Sequence, residues 1–258
     1  MHNSRLNRLN RLNIMQAIIL AAGSSRRLRP LTDTTPKCLL KVGGKSLLER
    51  TIENVISNGI DDFIFVTGYK ENMIKDFLNN NFKHIKKTFI TNSEYENNNN
   101  SYSLWMTRDF TKDDILLLDS DILFDKKIIC NLLDSEYENT LAVNFTDQLD
   151  EEQIKVILDN KNKVLEIGKE ISIRDSAGES IGIEKFSSYF LKELFSILDR
   201  KITKENNVNE FYEASFQEVI GKVDSRNSIY AVDVAEFKCI EIDTVQDYEN
   251  AQRILTLE

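Results

Sequence analysis

The chain has 258 residues, of which 41% are hydrophobic and 9% aromatic, so it can bury a sizeable core and is not expected to be disordered. Its formal net charge of −9 argues against a nucleic-acid-binding protein, because binding to a phosphate backbone requires a basic surface. Three widely spaced cysteines offer neither a disulfide framework nor a CxxC motif, which favours a reducing cytoplasm. The apolar run at residues 17–22 is far too short to span a bilayer.

The first 14 residues differ from the rest of the chain. Residues 5–13 are three copies of the triplet RLN, and strand-like sequence begins only at Met15. The segment is basic but has no apolar h-region, so it does not fit a signal peptide. We expect residues 1–14 to be a disordered extension and residues 15–258 to form a single domain.

Apolar segments of strand length alternate with segments of helical spacing in the first half of the chain. The strand-like segments are residues 17–22, 62–68, 87–91, 114–121 and 140–145. The helical segments are residues 46–58, 71–79, 101–110 and 125–133. Continuously apolar strands separated by helices indicate a parallel sheet that is covered on both faces. We therefore predict a Rossmann-like three-layer α/β fold with a mixed, mostly parallel sheet.

The second half of the chain has a mixed pattern. Residues 155–168 are predicted to form a hairpin with its turn at residues 159–162. The remaining predicted elements are a strand at 179–186, helices at 187–201 and 209–222, strands at 228–234 and 237–243, and a helix at 245–255. No long linker separates these elements from the first half, which favours one domain.

The loop after the first strand concentrates positive charge in an otherwise acidic chain. Residues 20–40, LAAGSSRRLRPLTDTTPKCLL, contain Gly23, three arginines, Lys37 and both prolines. Ligands of open α/β sheets bind at the carboxyl ends of the strands, where this loop begins. Glycine lets backbone amides approach a phosphate, and cations neutralise its charge. We therefore predict a phosphate-binding loop rather than a solvated loop with incidental charge.

The same segment resembles the N-terminal signature of the nucleotidyltransferases that make sugar nucleotides and related activated alcohols. Their usual pattern is LAAG-x-G-x-R followed by a P-K pair, which Gly23, Arg27 and Lys37 match, whereas Ser25 replaces the second glycine. The resemblance implies nucleotidyl transfer to a phosphate with release of pyrophosphate, in which Arg27 and Lys37 are catalytic and hold the triphosphate. The nucleotide-binding residues that it implies in this loop are Leu20, Ala22 and Gly23.

Two later strands end in aspartate. Asp121 closes the segment 114–121 and Asp243 closes the segment 237–243. A carboxylate at the end of an apolar strand needs a partner, solvent or a metal ion. A solvated strand end or a helix N-cap is the alternative, especially for Asp243, because a helix follows at once. The family resemblance places one Mg²⁺-binding aspartate on each strand, which makes Asp121 and Asp243 the expected metal ligands and gives Asp119 a supporting role.

Residues 93–110, SEYENNNNSYSLWMTRDF, bear on the choice of nucleotide. Their asparagine run is typical of a polar loop tip. The sugar-1-phosphate branch usually has a glycine-threonine-alanine patch here, but this chain has an N-N-x-x-S-L pattern similar to that of phosphocholine cytidylyltransferases and their relatives. Amide and hydroxyl groups suit the edge of a pyrimidine. We expect CTP to be the donor, bound by Asn99, Asn100 and Ser103.

Several further residues are candidates for binding the acceptor. Lys169 matches the family's lysine near the acceptor phosphate, with a solvated charge as the alternative. Three glutamates are expected to face a positively charged acceptor group, unless they are ordinary surface carboxylates: Glu179, Glu184 and Glu213. Three aromatic residues are candidates for cation–π contact with a quaternary ammonium, unless they belong to the core: Tyr102, Trp105 and Tyr212.

These observations together predict a cytoplasmic, Mg²⁺-dependent cytidylyltransferase that transfers CMP from CTP and releases pyrophosphate. Phosphocholine is the first expected acceptor and 2-aminoethylphosphonate the second, with no nucleic-acid partner and no insertion into a membrane. A sugar-1-phosphate nucleotidyltransferase using UTP or dTTP is the main alternative. A glycosyltransferase or a non-catalytic nucleotide-binding subunit of similar architecture would also fit the alternating pattern.

Overall fold

The computed structural model describes residues 15–256, so the predicted extension at residues 1–14 lies outside the described residues. The strands are β1 (Gln16–Ala21), β2 (Lys41–Val42), β3 (Lys45–Ser46), β4 (Asp62–Thr67), β5 (Lys86–Thr91), β6 (Ile115–Asp119), β7 (Ile122–Phe124), β8 (Thr140–Asn144), β9 (Lys155–Leu158), β10 (Val164–Gly168), β11 (Gly178–Phe186), β12 (Tyr230–Asp233) and β13 (Cys239–Glu241). The helices are α1 (Leu47–Ser57), α2 (Glu71–Asn81), α3 (Asn100–Met106), α4 (Lys127–Asp134), α5 (Ser188–Asp199), α6 (Glu213–Ile220) and α7 (Val245–Thr256).

Nine of these strands form one sheet. Its order is β10, β9, β11, β6, β1, β4, β5, and β8 extends from β11 to pair with β12. β1 is parallel to β4 and β6, β4 is parallel to β5, and β8 is parallel to β12. β11 is antiparallel to β6, β8 and β9, and β10 is antiparallel to β9. β10 and β11 therefore run against the other strands of this sheet, and the predicted mixed, mostly parallel α/β fold is confirmed.

Both faces of the sheet are covered, which explains the continuously apolar strands. Along β1, Ala17 and Ile19 point into one core, and Ile18 and Leu20 point into the other, as expected from the alternation of side chains in a strand. The first core contains apolar residues of α1, α2 and α4, and the second contains those of α3, α5 and α6. None of the helices described between residues 15 and 256 has the length and apolar character needed to cross a membrane.

Two of the strands predicted from the sequence end earlier in the structure. The predicted strand 114–121 is shorter in the structure, because β6 ends at Asp119. A separate strand, β7, begins at Ile122. The predicted strand 237–243 is shorter, since β13 ends at Glu241. β13 is antiparallel to β7, and the backbone amide of Ile242 donates to the carbonyl of Asp121 at 3.0 Å. This short second sheet brings the segment after β13 to the gap after β6.

The loop after β1 is held by a third, smaller core. Leu28 and Leu40, from the loop, pack with Ile242 and with Ala251 of α7. The hydroxyl of Tyr248 on α7 also donates to the carbonyl of Lys41 at 2.9 Å. These contacts fix the basic loop against the C-terminal part of the chain, although the two are more than 200 residues apart in sequence.

Gly182 allows β11 to pass close to the end of β6. It has a φ of +70°, and a Cβ at this position would lie 2.7 Å from Asp119 Oδ2. The pairing of β11 with β8 shifts its register between Ser180 and Glu184, around this glycine. The position therefore requires a residue without a side chain.

Gly182→Ala is expected to lower the free energy of unfolding by about 1–3 kcal/mol, because it adds left-handed strain and a contact with Asp119. The matched control is Gly221→Ala at the end of α6, where φ is −70° and a Cβ would be 3.5 Å from its nearest neighbour. That substitution should be neutral or stabilise by up to about 1 kcal/mol. Urea denaturation followed by circular dichroism measures both, and equal effects would contradict this account of Gly182.

Candidate active site

Two adjoining cavities open at the carboxyl ends of β1 and β6. The first, which we call the loop cavity, has a volume of about 290 Å³ and is bounded by the loop after β1 and by residues of the segment 92–103. The second, which we call the acidic cavity, has a volume of about 530 Å³ and is lined by Lys169, Glu179, Gly182 and Glu213 among others. Both cavities are lined by Arg27, Asp121 and Asp243, so these side chains lie where the two meet.

The loop cavity brings together most of the residues that the sequence singled out. The predicted catalytic, nucleotide-binding and metal-binding residues that line it are Leu20, Ala22, Gly23, Arg27, Lys37, Asn99, Asn100, Ser103, Asp121 and Asp243. They come from four separate parts of the chain. Their convergence supports the interpretation of the basic loop as part of a ligand site rather than an isolated charged surface.

Lys37 joins the two predicted metal-binding aspartates. Its ammonium lies 2.9 Å from Asp121 Oδ2 and 2.5 Å from Asp243 Oδ1, and its side chain is only 6% exposed. Burial by itself lowers the pKa of Lys37, but the charges of Asp121 and Asp243 outweigh this effect and raise the pKa to about 12. Arg27, which is largely exposed, makes a second ion pair with Asp243. Lys37 is therefore a permanent cation at the junction of the cavities.

A third carboxylate, missed by the sequence reasoning, completes this group. Glu241 offers an oxygen that lies within 4.8 Å of oxygens of both Asp121 and Asp243. Partial removal from water at the cavity wall, together with the charges of Asp121 and Asp243, raises the pKa of Glu241 above its usual value. The spacing E-x-D could have revealed it, because residues two apart lie on the same face of a strand.

The donor set of this group fits a hard divalent cation. Asp121 Oδ1 is buried and has no hydrogen-bond partner among the described residues. Carboxylate oxygens are the protein ligands that Mg²⁺ prefers, usually few in number and supplemented by phosphate oxygens. Asp121, Glu241 and Asp243 are therefore the residues that could hold Mg²⁺ beside a bound triphosphate.

Ser25 adopts the backbone conformation that explains the family's usual glycine. Its φ of 48° and ψ of 55° are left-handed, a region that glycine enters without steric cost. The carbonyl of Ser25 accepts from the amide of Leu28 at 3.1 Å and from the hydroxyl of Thr32 at 3.0 Å. The loop therefore makes, at Ser25, the left-handed turn that a glycine would favour.

A network of amides holds the far side of the loop cavity. Asn92, which is almost fully buried, donates to Asn98 Oδ1 at 2.8 Å and to Ser103 Oγ at 3.0 Å. The Asn99 side chain accepts from the amide of Asn100 at 2.8 Å and caps α3. Asn99, Asn100 and Ser103 were predicted from the sequence, whereas Asn92 and Asn98 were not. No motif marked them, because their role depends on contacts formed after folding.

The acidic cavity contains three of the residues expected to face the acceptor, Lys169, Glu179 and Glu213. Lys169 Nζ lies 2.7 Å from Glu152 Oε2 and 5.8 Å from the centre of the Phe211 ring. Glu213, at the start of α6, is only 6% exposed, and its Oε2 has no hydrogen-bond partner among the described residues. Burial raises the pKa of Glu213 to about 7.

Glu184 does not lie where the sequence reasoning expected it. It is fully buried on β11, opposite Leu117 of β6 and Leu141 of β8, and it lines neither cavity. At Glu184, β11 has β6 on one side and β8 on the other, so this part of the strand lies in the interior of the sheet. The expectation that Glu184 contacts an acceptor is therefore corrected to a position in the interior.

The three candidate aromatic residues also lie outside the lining of both cavities. Tyr212 is fully buried, and its hydroxyl donates to Asp119 Oδ2 at 2.9 Å. Tyr102 and Trp105 pack against each other on α3, with ring centres 5.3 Å apart. For these residues the structure selects the alternative of a core position. Phe211, which the sequence reasoning did not select, lines both cavities instead.

Comparison with known families identifies the class of protein that this fold and site define. The family model described as nucleotidyl transferase matches residues 16–161, which is more than half of the chain. The chain therefore belongs to the nucleotidyl transferase family. The resemblance drawn from residues 20–40 is confirmed.

Several proteins with similar sequences or structures are cytidylyltransferases. A CTP:phosphoglutamine cytidylyltransferase of Campylobacter jejuni is 30% identical over 257 residues, covering 91% of this chain and 98% of the relative. A choline-phosphate cytidylyltransferase of Streptococcus pneumoniae is 27% identical and covers 95% of this chain and 100% of the relative. The solved structure of a CTP:phosphocholine cytidylyltransferase from Streptococcus pneumoniae has a TM-score of 0.78 at 27% identity, covering 93% and 99%. These similarities place the chain among the cytidylyltransferases of the family.

Tyr212→Phe is expected to lower the free energy of unfolding by about 1–3 kcal/mol, because the buried carboxyl of Asp119 loses its hydroxyl partner. The matched control is Tyr189→Phe, which removes a hydrogen bond of 3.0 Å to Asp224 near the surface. The loss there should stay below about 1 kcal/mol, since water replaces the missing partner. Chemical denaturation measures both variants, and a smaller loss for Tyr212→Phe than for Tyr189→Phe would contradict the buried contact.

Proposed function

We propose that this protein transfers CMP from CTP to the phosphate or phosphonate oxygen of a small acceptor and releases pyrophosphate. The observation that carries the proposal is the buried ammonium of Lys37 held between Asp121 and Asp243 at the junction of two cavities. One cavity has the amide-rich wall and the basic loop suited to a nucleoside triphosphate, and the other is open to an acceptor. The attack then takes place where the cavities meet.

Lys37 and Arg27 supply the positive charge that the reaction needs. Attack on the α-phosphorus accumulates negative charge on the phosphoryl oxygens, and a positioned cation stabilises that charge more than it stabilises the substrate. Lys37 is fixed by its two carboxylate partners, whereas Arg27 is largely exposed and pairs with Asp243 alone. Because the acceptor is already anionic, no covalent intermediate on the protein is needed.

We further propose that Asp121, Glu241 and Asp243 hold Mg²⁺. The three carboxylates lie within reach of one common point, and Asp121 Oδ1 has a lone pair without a partner among the described residues. When bound, Mg²⁺ would neutralise and orient the phosphate oxygens. The role of the three carboxylates is to hold that charge beside the position of Lys37.

The choice of CTP rests on two independent lines of support. Asn99, Asn100 and Ser103 line the loop cavity and offer the amide and hydroxyl groups that can read the edge of a pyrimidine. The relatives from Campylobacter jejuni and Streptococcus pneumoniae, matched over nearly their full length, are cytidylyltransferases. The first line favours a pyrimidine nucleotide, and the second favours CTP among the pyrimidine nucleotides.

The acceptor is proposed to be a small phosphorylated or phosphonate-bearing molecule. The sequence ranks phosphocholine first and 2-aminoethylphosphonate second, and the names of the relatives add phosphoglutamine as a third type. Lys169 is proposed to bind the acceptor phosphate, which would replace its ion pair with Glu152. The acidic cavity would then enclose the rest of the acceptor.

Pyrophosphate release with each of CTP, UTP, dTTP and ATP tests the choice of donor. With Mg²⁺ and a mixture of phosphocholine, phosphoethanolamine and 2-aminoethylphosphonate, CTP should support turnover at least about 10-fold faster than the other three nucleotides. An enzyme-coupled pyrophosphate assay measures the rates. Turnover with UTP and a hexose 1-phosphate but none with CTP would overturn the proposal in favour of a sugar-1-phosphate nucleotidyltransferase.

Lys37→Ala and Asp121→Ala are each expected to reduce turnover by about 100- to 1,000-fold or more, because each removes a charge from the reacting centre. The matched control is Lys45→Ala, which removes an exposed lysine paired with Glu53 at 2.6 Å, outside both cavities. Its rate should equal that of the unmodified protein. Circular dichroism confirms that each variant is folded, and a near-normal rate in a folded Lys37→Ala or Asp121→Ala would refute the assignment.

A further inference from the structure

The acidic cavity has more carboxylates than cations. Arg27 and Lys169 are the cationic side chains that line it among the described residues, and each is already paired with a carboxylate, Asp243 and Glu152 respectively. Asp121 pairs with Lys37, but the remaining carboxylates that line the cavity make no ion pair within the part of the chain that the structure describes. Such a cavity attracts a positively charged group, because its walls concentrate the negative potential.

Three of the remaining carboxylates accept hydrogen bonds within the fold. Asp247 accepts from backbone amides at the start of α7, and Asp150 accepts from backbone amides of its own loop. Asp119 accepts from the Tyr212 hydroxyl at 2.9 Å. These hydrogen bonds give the three side chains a structural role in the fold.

Glu213 is different because it is buried, lines the cavity and has a free acceptor atom. It is only 6% exposed, and its Oε2 has no hydrogen-bond partner among the described residues. A buried acceptor without a partner is costly, so such an atom at a cavity wall points to a ligand donor. Burial and the nearby charge of Glu213 raise the pKa of both Asp119 and the fully buried Glu184 well above the usual range, so these two carboxyls favour the neutral form and Glu213 carries the charge.

The cavity has few aromatic faces. Phe211 is the aromatic residue that lines it among the described residues, and its ring already faces Lys169 Nζ at 5.8 Å. A trimethylammonium group has no N–H and is bound by several aromatic faces, whereas a primary ammonium needs hydrogen-bond acceptors. The walls of this cavity therefore suit an ammonium with N–H groups better than a quaternary one.

We propose, on the basis of the proposed function, that the acceptor carries a protonated primary amine and that Glu213 Oε2 accepts a hydrogen bond from it. This reverses the order of acceptors that the sequence suggested, because phosphocholine lacks an N–H. A site built to bind an N–H group rejects an analogue without it strongly, because the buried acceptor is then left unpaired. Glu213 is thus assigned as a substrate-binding residue that determines specificity.

A series of acceptors that differ only in methylation tests the proposal. The series is phosphoethanolamine, its N-methyl and N,N-dimethyl derivatives, and phosphocholine, with 2-hydroxyethyl phosphate as the control that lacks an amine. With CTP and Mg²⁺, kcat/KM should fall along the series, by roughly 100-fold or more from the first member to phosphocholine. A flat or rising trend would overturn the proposal, as would equal activity with 2-hydroxyethyl phosphate.

The affinity for each acceptor is measured separately, because a slow chemical step could mask differences in acceptor binding. Calorimetry with α,β-methylene-CTP and Mg²⁺ present gives a Kd for each member of the series. Phosphoethanolamine should bind at least about 10-fold more tightly than phosphocholine. Equal binding, or no binding of any member, would overturn the amine proposal. Failure of the protein to bind the CTP analogue at all would instead overturn the proposed function, so the two failures are distinct.

Glu213→Gln tests the residue itself. The substitution keeps the size of the side chain but removes its charge, so the preference for phosphoethanolamine over phosphocholine should fall by at least about 10-fold. The matched control is Glu166→Gln on β10, which removes an exposed carboxylate that lines neither cavity and should leave the preference unchanged. An unchanged preference in folded, CTP-binding Glu213→Gln would contradict the assignment. If that variant does not fold, the methylation series on the unmodified protein decides the question.

Discussion

The contact of Lys37 with both Asp121 and Asp243 is the interaction on which the site depends. It joins the loop after the first strand, the gap after the central strand β6, and the segment after β13. A buried ammonium is stable only with such partners, since removing it from water without compensation costs several kcal/mol. The same contact therefore fixes the geometry of three distant chain segments and places a permanent cation where phosphates would react.

The distribution of charge differs between the loop cavity and the acidic cavity. The loop cavity has cations on one wall and neutral amides on the other, as a pyrimidine triphosphate requires. The acidic cavity has an excess of carboxylates, and Oε2 of Glu213 at its wall has no hydrogen-bond partner among the described residues. A donor that is a polyanion and an acceptor that carries an amine would each bind preferentially to one side. Under the proposed function, the two charge environments would contribute to specificity as well as to catalysis.

Much of the fold and part of the site were predictable from the sequence. The alternation of apolar strands with helices predicted the covered sheet, and the segment 20–40 predicted the family, because both signals are local in sequence. Lys37, Asp121 and Asp243 could be chosen because each follows a recognisable strand or motif. Asn92 and Phe211 were missed, since their positions in the site depend on how separate segments pack, whereas the local E-x-D spacing marks Glu241.

Short-range patterns of hydrophobicity and charge encode the class of fold, the basic loop and the aspartates, so these features can be predicted without coordinates. Which side chains reach the cavities depends on the packing of distant segments. Glu184 and Glu213 are both acidic residues in the second half of the chain, yet an interior strand buries the first and the start of a helix presents the second to a cavity. That difference comes from the neighbours of each element, which local sequence does not specify.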